Sequence, residues 1–261
     1  HFLRGRDFYP DKADKSFGPK AVKATKAFQK KHRLGADGVV GNQTYAKAMQ
    51  LGFVLVKDDD TGKNGPNWPP PPDFKPLAGN AARAKVFGKF RYKPAGTKNN
   101  PEAIKVLDGW APKNIVAVSI PQLVGIRGAG KAKKFWFHKL AANQIQGFFA
   151  AVEKAGLTHL IETYAGSYVP RFIRGSRTTL SNHAFGSAFD INVPWNYLRS
   201  QPALVGRKGS VRLLVQLAHT FGLYWGGHFR RLDGMHFEVA ELMTAVEVRK
   251  ALASVKTKKA A

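Results

Sequence analysis

Apolar positions recur at helical spacing in several stretches of this 261-residue chain. Gly18-Pro19-Lys20 predicts a helix start, because proline suits the first turn, where a missing N–H costs nothing. Val22, Ala24, Thr25, Phe28 and Gln29 follow on one side, and Gly35 is expected to end the segment after Leu34. A second helix is expected from Thr44 to Met49, with Thr44 as its cap and tight, positive-φ turns at Gly38 and Gly41. Further on, Leu140 to Ala155 carries Ile145, Phe148, Phe149 and Val152 on one face and stops at Gly156; Val211 to Phe221 stops at Gly222. Between these lie β-branched and aromatic runs that read as strands: 115–120, 134–138, 159–164, 188–193 and 235–239. Strands and helices do not alternate strictly, so the expected class is α+β.

A seam divides the pattern. Residues 54–80 pass from a polar, Gly-rich run around Lys57-Asp58-Asp59-Asp60 into Trp68-Pro69-Pro70-Pro71-Pro72, a composition that favours a flexible stretch followed by a stiff spacer. Two domains are therefore expected, 1–53 and 81–261, the second ending in a basic tail. Charge then changes the picture: 42 Lys and Arg stand against 17 Asp and Glu, a formal +25. Such a field draws the chain to an anionic surface. No RNA- or DNA-reading signature accompanies it, so no specific nucleic-acid partner is expected. Cysteine is absent, which excludes disulfides, thiol catalysis and Cys-ligated metal. No run reaches the roughly 18–20 apolar residues of a membrane span.

Candidate chemistry concentrates in Ser181-Asn182-His183-Ala184-Phe185-Gly186-Ser187-Ala188-Phe189-Asp190-Ile191-Asn192. Gly186 lets the chain bend so that His183 and Asp190 converge, and Ala188, Asp190 and Asn192 are expected to share one strand face. An aspartate within an apolar strand is costly unless paired or bound to a cation. Zinc is such a partner, since imidazole nitrogen and carboxylate oxygen both bind it at about 2.0–2.2 Å. His236, heading the apolar run Phe237-Glu238-Val239, is the best third ligand; His228 is the rival. Three protein ligands leave one position open, as in catalytic zinc sites. Glu238, on the strand face of His236, is placed to orient its second nitrogen. Trp225, with Trp195, Tyr197 and Tyr224, is available to shape a groove, with core packing the default for most of them.

Two resemblances follow from these residues. Ala27-Phe28-Gln29, Leu34, Asp37-Gly38-Val39-Val40-Gly41 and Thr44 are similar to the three-helix peptidoglycan-binding module of cell-wall hydrolases, with Ala21 where threonine is usual. His1-Phe2-Leu3 would then be the last turn of the first of its helices, truncated at the start. The pattern Ser-x-His-x-x-Gly-x-Ala-x-Asp with a later Asp-x-x-His resembles the VanY-like D-alanyl-D-alanine carboxypeptidases and related phage L-alanyl-D-glutamate endopeptidases, over about 81–240. That resemblance implies a hedgehog/DD-peptidase-like fold, with an antiparallel sheet flanked by helices. It implies one zinc held by His183, Asp190 and His236, and Asp233 as general base where many members carry the longer glutamate. It also implies an arginine facing the scissile carbonyl or substrate carboxylate, with Arg171 chosen and Arg174 as alternative. Ser181 and His228 fall near the cleft. The expected protein is a monomeric, endolysin-like zinc endopeptidase cleaving L-Ala-D-Glu bonds. It would act in the wall or periplasm on peptidoglycan, held there with help from anionic wall or outer-membrane groups. A D-Ala-D-Ala carboxypeptidase and a non-catalytic wall-binding protein are the alternatives.

Overall fold

The structure is a computed structural model that describes residues 2–10, 17–53 and 67–257. The polar half of the expected linker, His1 and the last basic residues Lys258 and Lys259 lie outside the described residues. Near the N-terminus, α1 (Phe2–Gly5), α2 (Pro19–Lys31) and α3 (Asn42–Gln50) bury Phe2, Phe28 and Ala48 as a small core. Phe28 is its centre, meeting Phe2 and Phe8 edge-on at 5.8 and 5.5 Å, a geometry the ring quadrupole favours.

The helix boundaries differ from expectation in instructive ways. Proline does open α2, but the left-handed turn after it falls on Arg33 (φ 56°), not on Gly35. Gly38 is left-handed (φ 81°), whereas Gly41 is extended (φ −86°) and itself precedes α3. Thr44 therefore lies inside the first turn and is not its cap. Its hydroxyl donates to Val39 O at 3.3 Å and accepts from Gln29 Nε2 at 3.0 Å. Gln29 also donates to Asp37 Oδ1 and Val39 O and accepts from Gly38 N. Its buried amide thus ties the whole 37–44 loop to α2, as a buried polar group must be tied.

The larger core comprises α4 (Gly79–Phe87), β1 (Tyr92–Pro94), β2 (Ile104–Val106), α5 (Trp110–Asn114), β3 (Ile115–Ser119), β4 (Lys134–His138), α6 (Ala142–Lys154), β5 (Ala188–Asp190), α7 (Arg212–Thr220), β6 (Leu223–Trp225), β7 (His236–Val239) and α8 (Ala245–Ser254). Its strands form antiparallel pairs β1–β2 and β3–β4 and an antiparallel sheet ordered β5-β7-β6, so the class is α+β as expected. The period of two sorts the three-stranded sheet into two faces. Phe189 and Phe237 pair across β5–β7 and stack at 5.5 Å, 8° from parallel, and Phe148 of α6 stacks on Phe237 at 6.2 Å. Asp190 and His236 are the next cross-strand pair, which puts their side chains on alternate sides from the phenylalanines. The sheet's apolar face is thereby packed on α6 while its other face is free for chemistry.

Two expected strands are corrected. Residues 159–164 form a 3₁₀ turn at Thr158–Leu160 and two isolated bridges. The 188–193 run stops at Asp190, because Asn192 is left-handed (φ 56°) and leads into a 3₁₀ turn. Asn192 consequently does not continue the strand face. Its buried side chain instead accepts from Glu162 N and Thr163 N and donates to Leu160 O and Gly209 O. Where the sequence reads a spacer, Trp68 and Leu77 lie packed against the larger core.

Candidate metal centre

His183 sits in a 3₁₀ turn, Asn182–Phe185, whose first residue is preceded by Ser181; the Ser181 hydroxyl accepts from His183 N at 3.3 Å. The turn closes at Gly186 (φ 66°), where an added Cβ would lie 2.7 Å from Ile115 Cδ1 and 2.9 Å from His138 N. Glycine is required there both for backbone conformation and for space. The bend brings His183 beside the β5–β7 pair. His183 Nε2 lies 3.2 Å from Asp190 Oδ1 and 3.2 Å from His236 Nδ1, and those two atoms are 3.0 Å apart. Three potential ligand atoms thus face a common point.

The outer hydrogen bonds decide what that point attracts. His183 Nδ1 lies 2.7 Å from the Ser167 carbonyl, which can only accept, so Nδ1 carries the proton. His236 Nε2 lies 2.9 Å from Glu238 Oε2, which likewise fixes a proton on Nε2. In the neutral rings, His183 Nε2 and His236 Nδ1 are then both lone pairs, directed at each other and at the Asp190 carboxylate. Such an arrangement demands a cation, either a proton or a metal ion. Burial alone would lower the pKa of His236, but hydrogen bonds to Asp190 and Glu238 override it and push the value up to about 10. Burial likewise opposes ionisation of Asp190, and the two histidines hold it well below the usual carboxylate range. The donor set, two imidazoles and one carboxylate with its second nitrogens anchored, suits zinc by chemistry and by spacing.

A further layer of anchoring escaped sequence reasoning. Glu238 accepts a hydrogen bond from Asn182 Nδ2, and the Asn182 oxygen accepts from Arg83 Nε at 3.0 Å; Arg83 Nη1 also donates to Leu180 O at 2.9 Å. Arg83 is buried and its charge faces that of Glu238. Ser167 is the other addition, fixed by its hydroxyl bond to Trp136 O at 2.6 Å. Neither residue lies within the local motif, and their contacts span long sequence separations, so periodicity and spacing gave no signal for them.

The remaining expected residues separate cleanly. Asp233, Arg171 and Ser181 line the same cleft as the three-atom cluster. Burial raises the pKa of Asp233, and its Oδ1 is buried without a hydrogen-bond partner. Asp233 and His236 converge on Gly226, where a Cβ would meet Asp233 O and, at 3.1 Å, His236 Cβ. Arg171 donates to Phe172 O at 3.1 Å and is held in the field of Asp190 and Asp233. Arg174 is engaged by Glu102 in a 2.7 Å ion pair and is half exposed. His228 does not join the cluster. Its Nε2 lies 2.8 Å from Pro69 O, and its ring packs on Trp68 and Trp225. Trp225 is fully buried and does not shape a groove; its indole N–H donates to Gly234 O at 2.8 Å.

Comparison with known families agrees with the two halves of this description. Residues 174–239 match a family model described as D-alanyl-D-alanine carboxypeptidase, a narrower segment than 81–240 that includes His183, Asp190, Asp233 and His236 and leaves Arg171 outside. Residues 1–48 match one described as a putative peptidoglycan binding domain. No curated protein and no solved structure matches the chain significantly. Among the described residues, no helix is long and apolar enough to cross a membrane. Together the two matches support a peptidase that acts on peptidoglycan, and with it action outside the cytoplasm.

Proposed function

We propose that this protein is a zinc-dependent endopeptidase that hydrolyses the L-Ala-D-Glu bond of peptidoglycan stem peptides. The observation that carries the metal-dependent reading is the convergence of His183 Nε2, His236 Nδ1 and Asp190 Oδ1, at 3.0–3.2 Å, in a cleft that also holds Asp233 and Arg171. When bound, zinc supplies Lewis acidity to a water and to the scissile carbonyl. The chain's own residues do the rest. Ser167 and Glu238 keep the two imidazoles in the tautomers that present lone pairs. Asp233, with an unpartnered buried oxygen and a raised pKa, accepts the proton of the attacking water and delivers it to the leaving amine. Arg171 is a fixed positive charge for the developing oxyanion or a substrate carboxylate. Together with anionic wall or outer-membrane groups, the basic 1–53 region retains the enzyme on the polymer, as a monomer, and the segment beyond the linker performs the cleavage.

Presence of a wall-binding domain favours action on intact polymer and therefore cleavage inside the stem. The description of the matched family favours a second reading, removal of the terminal D-Ala. Mass spectrometry of fragments released from purified peptidoglycan separates them: new N-terminal D-Glu supports the endopeptidase, and free D-Ala the carboxypeptidase. Release of neither from wall by zinc-loaded protein would leave a wall-binding protein without catalysis.

A further inference from the structure

Residues 68–79, which sequence composition marks as a spacer, pack against the larger core and then line the cleft. Trp68 packs on Trp225 with centroids 5.2 Å apart, and the Arg212 guanidinium lies 4.9 Å from the Trp68 ring. Pro69 is buried, its carbonyl 2.8 Å from His228 Nε2, and Gln216 donates to Pro70 O at 3.0 Å. Phe74 makes edge contacts with His219 and Tyr224 at 6.2 and 6.3 Å. The chain then supplies Pro76, Leu77, Ala78 and Gly79 to the wall of the cleft.

What this strap grips is the support of Asp233. Between the 3₁₀ turn Gly226–His228 and β7 there is no helix or strand, so the segment depends on individual bonds. Asp233 N donates to Gly226 O at 3.0 Å, His236 N donates to Asp233 O at 3.0 Å, and Trp225 Nε1 donates to Gly234 O at 2.8 Å. Trp225 and the turn residue His228 are, with Arg212, the side chains that Trp68 and Pro69 hold. A tryptophan pair, with Trp225 fully buried and Trp68 half-buried, and a partly buried hydrogen bond thus stand against the turn.

We propose that the strap is a positioning element of the cleft, in which Trp68 and Pro69 clamp Trp225 and His228 and so fix the 226–236 turn that carries Asp233. Trp68 is not among the residues that line the cleft and acts through Trp225. Its effect on turnover rests on the peptidase reading above; its effect on the turn rests on the packing alone.

The test uses the full chain, zinc-loaded, as wild type, Trp68→Ala, Trp68→Phe and Gln216→Ala. Three quantities are measured: amide hydrogen exchange in 226–236 with α6 as reference, bound zinc, and kcat and KM on a soluble stem peptide. Trp68→Ala should speed exchange in 226–236 by about tenfold while α6 is unchanged. It should also lower kcat by about 10–10²-fold with KM and zinc content preserved, and Trp68→Phe should restore most of both. Unchanged exchange in 226–236, or a loosened turn with kcat intact, overturns the proposal. If Trp68→Ala also loosens α6, the fold itself has been lost and Gln216→Ala decides. That variant frees only the Pro70 bond, and a rise in 226–236 exchange alone supports the clamp while no change overturns it. Should wild type cleave no stem peptide, the peptidase reading falls and hydrogen exchange still decides the clamp.

Discussion

His236 and His138 are both buried on strands of the same core, at β7 and β4, yet their protonation is driven in opposite directions. His138 meets only backbone polar partners, accepting from Leu140 N and bonding to Phe87 O, and burial lowers its pKa to about 4. His219 follows the same course, to about 4, through burial and the nearby His228. His236 is as deeply placed, but two carboxylates reverse the outcome. Burial therefore does not by itself make a histidine a ligand. What distinguishes the cleft is that Asp190 and Glu238 leave an imidazole with one nitrogen anchored and the other facing an uncompensated negative charge, a place a cation fills.

The largest test of this contrast removes the charge. Asp190→Ala should abolish metal binding and hydrolysis together, with His183→Ala and His236→Ala close behind; metal analysis and peptide release on the purified variants read both. Retained stoichiometric zinc in any of them would take that residue out of the centre. Asp233→Asn should leave the metal in place while turnover drops by about 10²–10⁴-fold, because an amide cannot accept the water's proton. Glu238→Gln acts one layer out. Loss of its charge weakens the anchor on His236 Nε2, and metal affinity should fall by about 10–100-fold in a competition titration with a chelator. The smallest effect belongs to the other histidines. A group whose folded pKa is depressed stabilises the fold above its unfolded value and loses that contribution as pH falls. Thermal stability should accordingly decline as pH is lowered from about 6.5 towards about 4, and His138→Gln, which cannot ionise, should flatten that decline.

Sequence and structure agree best where interactions are short-range. The helices α2, α6 and α7 are evident from their apolar spacing because each buries a single stripe. His183, Gly186 and Asp190 are readable together because one turn and one short strand contain all three. Agreement is lost where contacts cross the chain. Arg83 reaches Asn182 and Leu180 almost a hundred residues away, and nothing local to Arg83 announces a buried partner. The run 159–164 has strand-like composition but little pairing, since its backbone groups Glu162 N, Thr163 N and Leu160 O are taken by the side chain of Asn192. For Trp225 composition leaves groove and core both open, and the structure places it in the core with its indole N–H spent on Gly234 O. The proline run reads as a spacer because its partners, His228 and Gln216, arrive about 150 residues later.

Gln29 in the N-terminal helical module spends its amide entirely on the 37–44 loop, binding Asp37, Gly38, Val39 and Thr44. These are the very positions that mark the peptidoglycan-binding signature in the sequence. The signature therefore encodes how the loop holds its shape. A surface groove between Phe17, Pro19, Val22, Lys23 and Lys26 adjoins that hub, since a Cβ on Gly38 would lie 2.8 Å from Val22 Cγ1. For an engineer the hub is a chassis to be left untouched, because one substitution at Gln29 would release four loop positions at once.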